Sequence, residues 1–180
     1  MCEVTVTSEV TVTSNAGENM ETQNIHPPRG CARLIWRLPI GLYRAHLGWL
    51  LTSHFLLLTH TGRKSRLPRY AVIEVVRYDK AADTYIVASG FGENSDWFLN
   101  LQKTPRARIQ VGFRQAEVAA RRLPQAEAER EILDYARRYP IPLRELIHII
   151  GYSWDGTEAG LRALTRLVPI IALAVQNLNS

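Results

Sequence analysis

The 180-residue chain has only two cysteines, Cys2 and Cys31, and neither belongs to a C-x-x-C pair or a Cys/His cluster, so no disulfide framework and no zinc site is expected. No run of about 18 apolar residues occurs. The longest stretch, near residues 34–51, is broken by Arg37, Arg44 and His46, which argues against a spanning helix. A secretory leader is also missing, and a cytoplasmic location is the expectation that follows. The G-x-x-x-x-G-K-[ST] loop of ATP hydrolysis is absent. Ser89, Ser95 and Ser153 lack a G-x-S-x-G context, and the five histidines show no H-E-x-x-H spacing. Nucleophilic hydrolysis and metal catalysis therefore lack support.

Charge of one sign is missing from two long regions. Residues 1–28 contain no Lys or Arg, carry Glu3, Glu9, Glu18 and Glu21, and repeat the hexamer Glu-Val-Thr-Val-Thr-Ser at 3–8 and 9–14. Alternating Val and Thr would suit a strand, but the segment has almost no apolar surface to bury. It reads as a disordered acidic tail ending at Pro27 and Pro28, with the folded domain at 29–180. Removing its four acids from a chain of formal charge +5 leaves the other 152 residues at +9. Conversely, Arg29 to Arg69 holds eight basic residues and no acid, the acids resuming at Glu74.

What is present has globular proportions, 46% hydrophobic and 22% charged, and the length of one domain. Within 33–51, Leu34, Ile35, Leu38, Leu42, Tyr43, Leu47, Leu50 and Leu51 recur near helical spacing between Arg33, Arg37 and Arg44, with a kink expected at Pro39. This basic amphipathic helix has two uses. It can pack on the body, the commoner one, or lie on a membrane surface with Trp36, Tyr43 and Trp49 near the headgroups. Strands are expected over 54–60, 70–78 and 84–89, and over 106–120 as a hairpin or one strand bent at Gly112. The connections are too short for crossover helices, so the sheet should be mostly antiparallel. Helices are expected over 94–103, 125–138, 143–149 and 157–167. On the second of these, Ile132, Leu133 and Ala136 would share one face, with Glu127, Arg130 and Glu131 on the other. The apolar run 168–175 could close the sheet.

Two segments could carry chemistry. The connection 59–69 holds Arg63, Lys64, Arg66 and Arg69 together with three hydroxyls and Gly62, which suits a ligand with several phosphate or carboxylate oxygens. A solvated basic turn is the plainer reading of the same residues. The second is Ala88, Ser89, Gly90, Phe91 and Gly92, small residues at a strand end that admit close backbone approach just before a helix start near Asn94 or Ser95. There, Trp97 and Phe98 are expected in the core. An anion loop, a glycine-lined cleft and no acid/base pair together suggest that a cofactor supplies the chemistry.

The run Phe55-Leu-Leu-Leu-Thr59-x-Thr-Gly-Arg-Lys-Ser65, followed by Pro68-Arg69, Val87-Ala-Ser89, Trp97-Phe-Leu-Asn-Leu101, Pro105 and Val111-Gly112, resembles the deazaflavin-dependent nitroreductase family. The likeness spans about residues 33–122 and reaches more weakly to Val168-Pro-Ile-Ile. It implies an α+β fold, a split β-barrel of the FMN-binding-like type, mostly antiparallel, with an N-terminal amphipathic helix and C-terminal helices. It also implies coenzyme F-420, an 8-hydroxy-5-deazaflavin with a phosphate and an oligoglutamate tail, with FMN as the alternative. By the same resemblance, Arg63, Lys64, Ser65 and Arg69 would bind the phosphate or acidic tail. Ala88, Ser89, Gly90, Phe91 and Gly92 would line the ring, Asp96 and Trp97 would stand at the cleft's edge, and Tyr139 would face substrate.

The implied activity is hydride transfer from the reduced deazaflavin to a small, apolar, electron-poor acceptor. A carrier of a hydrophobic ligand or flavin-type cofactor on the same barrel is the alternative. Nucleic acid is argued against, because the basic residues lack interleaved aromatics in a reader pattern. Two departures from the nitroreductases argue against nitroimidazole reduction. Their Ser-Lys-Gly-Gly stretch is Ser89-Gly90-Phe91-Gly92 here, and their tyrosine-rich cover is matched only at Tyr139.

Overall fold

The structure, a computed structural model, describes residues 54–149 and 151–176. The acidic tail, its repeat, both cysteines and the amphipathic segment 33–51 with its suggested membrane contact lie outside the described residues. Six strands form the framework: β1 (Phe55–Thr61), β2 (Pro68–Asp79), β3 (Thr84–Ala88), β4 (Arg106–Val111), β5 (Arg114–Arg122) and β6 (Ile170–Val175). A 3-10 turn, Gly92–Asn94, leads into α1 (Asp96–Lys103), and three helices follow β5: α2 (Gln125–Arg138), α3 (Pro140–Ile149) and α4 (Glu158–Leu167).

The strands close into a barrel in the order β1-β2-β3-β6-β5-β4, and every pairing is antiparallel. The segment 106–120 is a hairpin, with Val111 opposite Arg114. Gly112 takes φ +55° at the first position of its two-residue turn, the position that favours glycine. The last apolar run does close the sheet, since β6 joins β3 to β5.

Period-two alternation sorts the strand residues into two cores. Inside the barrel lie Leu56, Leu58, Tyr85, Val87, Ile171 and Leu173, with Phe98 and Leu101 of α1 packed among them. The outer face of β3 and β6 presents Ile86, Ile170 and Ala172 to Ala128, Ile132, Leu161 and Leu164 of α2 and α4. Strands buried on both faces read as near-continuous apolar runs, which is why β3 and β6 carry almost no polar residue. Val75 points into the barrel and Val76 under the helices, as alternation dictates, and the pairing of β2 with β3 shifts register between Val75 and Arg77.

The helices begin where local chemistry lets them. Pro124 precedes α2, Glu127 lies in its first turn and Arg137 and Arg138 in its last, in accord with the helix dipole. Thr157 caps α4, its hydroxyl accepting from the Gly160 N–H at 3.0 Å. On α2, Glu131 departs from the expected solvent face. Both its carboxylate oxygens accept from Arg77 of β2 at 2.7 Å, and only 16% of its side chain is exposed. This bidentate pair fastens α2 to the barrel.

Candidate functional site

The β1–β2 connection folds back on itself. Gly62 N–H donates to the Leu67 carbonyl at 2.9 Å, and Arg66 N–H donates to the Gly62 carbonyl at 2.8 Å. A Cβ at position 62 would stand 2.7 Å from Ser65 Oγ and 3.3 Å from that Leu67 oxygen, so the turn is built for glycine. Lys64, Ser65, Arg66 and Arg69 are exposed. Arg69 donates to Ser65 Oγ at 3.4 Å, and among the described residues Lys64, Arg66 and Arg69 make no ion pair.

Arg63 is placed differently from its neighbours. Its backbone N–H and its guanidinium donate to Asn100 Oδ1 at 2.9 and 3.1 Å, and the guanidinium pairs with Asp96 at 2.8 Å. With Oδ1 so occupied, Asn100 turns its Nδ2 to the buried His60, 3.1 Å from Nδ1. His60 Nδ1 must then be the unprotonated acceptor of a neutral ring. Burial is the main reason, lowering the His60 pKa to about 4; Asp96 opposes the shift and Arg69 adds to it. The loop is thereby pinned to α1 by a neutral hydrogen-bond chain and one exposed ion pair.

The end of β3 makes the second part. Ser89 is fully buried; its N–H donates to the Pro169 carbonyl at 2.9 Å and its hydroxyl to the Gly92 carbonyl at 2.8 Å. It braces the turn from within. Gly92 has φ +68°, and a Cβ there would meet the Leu167 carbonyl at 3.1 Å. Ala88, Gly90 and Phe91, together with the half-buried Trp97, line an apolar cavity of about 170 Å³. Its other walls come from β2 and the three C-terminal helices, with Val72, Val76, Ile132, Leu143 and Leu164 prominent. Gly92 instead opens with Phe91 onto a shallower recess beside Tyr152 and Arg166.

The first turn of α1 joins the two parts: Asp96 reaches back to the loop at Arg63, and the next residue, Trp97, forms cavity wall. Tyr139 does not line the cavity. Its ring packs on Tyr135 at 5.2 Å and on His54 at 5.9 Å, behind the wall. Sequence reasoning missed Glu74 and Tyr135, both of which line the cavity, with the Tyr135 hydroxyl donating a hydrogen bond to Glu74 Oε1. Burial first, and then that bond, push the Tyr135 hydroxyl well above the ordinary tyrosine range, so it remains a donor. The available signal was a lone acid between Val72-Ile73 and Val75-Val76 in a strand otherwise apolar at its centre.

The exposed cations of the loop suit a polyanionic ligand, and the small residues at the β3 end admit a ring against backbone. Among the described residues there is no cluster of side chains that could hold a metal, and no helix is long and apolar enough to cross a membrane.

A family model described as F420H(2)-dependent quinone reductase matches residues 42–140, a span from before β1 through α2 that includes every residue expected at the site. A solved protein of unknown function from Agrobacterium tumefaciens shares the fold at TM-score 0.50 and 16% identity, with 86% of this chain and 59% of that one aligned. A structure described as an F420-H2 dependent reductase is 23% identical over 67% of this chain and 93% of its own, at TM-score 0.47. An FMN-binding protein related to pyridoxamine 5'-phosphate oxidase, from Nostoc punctiforme, is 10% identical over 82% and 81% of the two chains, at TM-score 0.49. No curated protein matches the chain.

Proposed function

Because the chain belongs to the F420H(2)-dependent quinone reductase family, and so is an F-420-dependent reductase, we propose that its acceptor is a small, apolar, electron-poor molecule seated in the cavity beneath α2, α3 and α4. The observation that carries this reading is the junction at α1, where a cationic loop and an apolar cavity meet on adjacent residues, Asp96 and Trp97. Bound and reduced, coenzyme F-420 supplies a hydride to an electron-poor double bond or similar acceptor. The chain supplies binding, orientation and exclusion of water.

Lys64, Ser65 and Arg69 would hold the cofactor's phosphate or acidic tail, each charged contact contributing on the order of 1.5–3 kcal/mol. Arg63, already committed to Asn100 and Asp96, would mainly fix the loop's shape and share its remaining donors. Ala88, Gly90 and Phe91 would face the ring, with Ser89 and Gly92 shaping the turn behind them. Trp97 and the helix side chains would keep water from the acceptor. Tyr139 would support Tyr135 by ring packing.

The test is oxidation of reduced F-420 by a benzoquinone or naphthoquinone with purified protein, followed by absorbance. Turnover that saturates in quinone is expected. Tight F-420 binding with no turnover of any apolar acceptor would overturn the reading in favour of a carrier.

A further inference from the structure

We propose that Asn100, braced by His60, is a positioning residue for the cofactor: through Arg63 it fixes the cationic loop in its binding shape before the ligand arrives. This rests on the reading of that loop as the seat of the phosphate or acidic tail. The orientation of every group follows from one donor. The Arg63 backbone N–H can only donate, so the Asn100 atom 2.9 Å away is the carbonyl oxygen Oδ1, and the amide nitrogen faces His60 Nδ1 at 3.1 Å. The Arg63 guanidinium donates to the same Oδ1, also at 3.1 Å, so both lone pairs of that oxygen are in use. Asn100 is only 4% exposed and His60 only 5%. Buried in this way, the two residues act on a ligand through Arg63.

Asparagine is a poor helix former, and a buried amide inside α1 is costly unless its hydrogen bonds are made. What it supplies here is a neutral anchor. Lys64, Arg66 and Arg69 are exposed and pair with no acid among the described residues, and the turn 62–67 itself contains no acid to offset their repulsion. The bonds from Gly62 N–H to the Leu67 carbonyl and from Arg66 N–H to the Gly62 carbonyl close the turn on itself. The bond from Arg63 N–H then ties the closed turn to α1. A buried carboxylate in place of the amide would also hold the loop, but it would cancel charge that a polyanion needs. Asp96, the acid that does reach Arg63, has a side chain 78% exposed, where solvent and salt weaken its pull. A loop fixed in advance spares the ligand the entropy of ordering it.

The full chain and its Asn100→Ala variant should be titrated by fluorescence with F-420 and with the same deazaflavin lacking phosphate and glutamates. In the wild type, F-420 should bind at least about tenfold more tightly than the tail-less ligand. In Asn100→Ala that advantage should fall to about threefold or less, while the tail-less ligand keeps its wild-type affinity within about twofold. A second measurement needs no variant: in the ligand-free wild type, hydrogen exchange at the Arg63 amide should be at least about a hundredfold slower than in an unstructured chain. Equal affinities of the two ligands in the wild type would overturn the loop's role, and that of Asn100 with it. A wild-type advantage that persists in Asn100→Ala, or a loss shared equally by both ligands, would overturn the positioning role alone. So would an Arg63 amide that exchanges freely until F-420 is bound. If the variant does not fold, the exchange measurement decides.

Discussion

In the β1–β2 loop, Lys64, Arg66 and Arg69 are exposed and pair with no acid among the described residues, whereas Arg63 is tied to Asn100 and Asp96. In the cavity beneath α2 to α4, a single acid is hydrogen-bonded by a single tyrosine among apolar walls. The loop gathers many weak, screenable charges, each hydrated until a ligand arrives. The cavity has few polar groups, each made strong by its surroundings. A reductase that must hold a polyanionic cofactor and admit an apolar acceptor needs both, and they meet at the first turn of α1.

The sharpest way to break this contrast is to neutralise the loop. Lys64→Ala combined with Arg69→Ala should weaken F-420 binding at least about thirtyfold in low salt and much less in high salt. The acceptor KM at saturating cofactor should stay as in the wild type. Unchanged F-420 affinity would remove the loop from the site.

A second substitution acts on the cavity's roof alone. Glu131→Ala leaves the half-buried Arg77 guanidinium paired only with Asp79, and should cost about 2 kcal/mol in urea unfolding. It should raise the acceptor KM while F-420 affinity holds. Loss of both in parallel would mean that the two regions are not separable.

His60 sharpens the contrast from the loop's buried side. The unfolded chain takes up the His60 proton near pH 6.5, the folded protein only near pH 4. Between these values the unfolded state binds more protons, so stability present above pH 6.5 is lost as pH falls toward 4. The loss from this one group should be on the order of 3 kcal/mol by pH 4, and His60→Gln should flatten that part of the stability profile. An unchanged profile in the variant would place the titration elsewhere. The smallest effect belongs to Asp96→Asn, which releases Arg63 from its exposed acid while Asn100 still positions it. F-420 should then bind about two- to fivefold more tightly, with a steeper salt dependence. Weaker binding would show that Asp96 contributes directly.

The two regions also differ in how far the sequence revealed them. The loop was legible because its chemistry is local: four cations and a glycine within eight residues fix both the turn and its charge. The barrel was legible for a similar reason, since short connections force antiparallel pairing and β-rich runs mark the strands. The cavity was not. Its walls come from β2, the β3 end, α1 and three later helices, and whether Leu143 or Ile132 faces a ring or plain core depends on how those helices cross the sheet. Glu131 was misplaced because helical periodicity put it with polar neighbours, whereas Arg77, 54 residues away, draws it inward. Ser89 sits within the expected motif, yet the structure spends its hydroxyl on the Gly92 carbonyl, a use that motif reading alone could not separate from ligand contact.

The most direct test of the account is a fluorescence titration of the full chain with F-420 and, in parallel, with the same deazaflavin lacking phosphate and glutamates. If the loop holds the acidic tail, F-420 should bind at least about tenfold more tightly, and the difference should vanish in the Lys64→Ala, Arg69→Ala double variant. Equal affinity of the two ligands for the wild-type protein would contradict it.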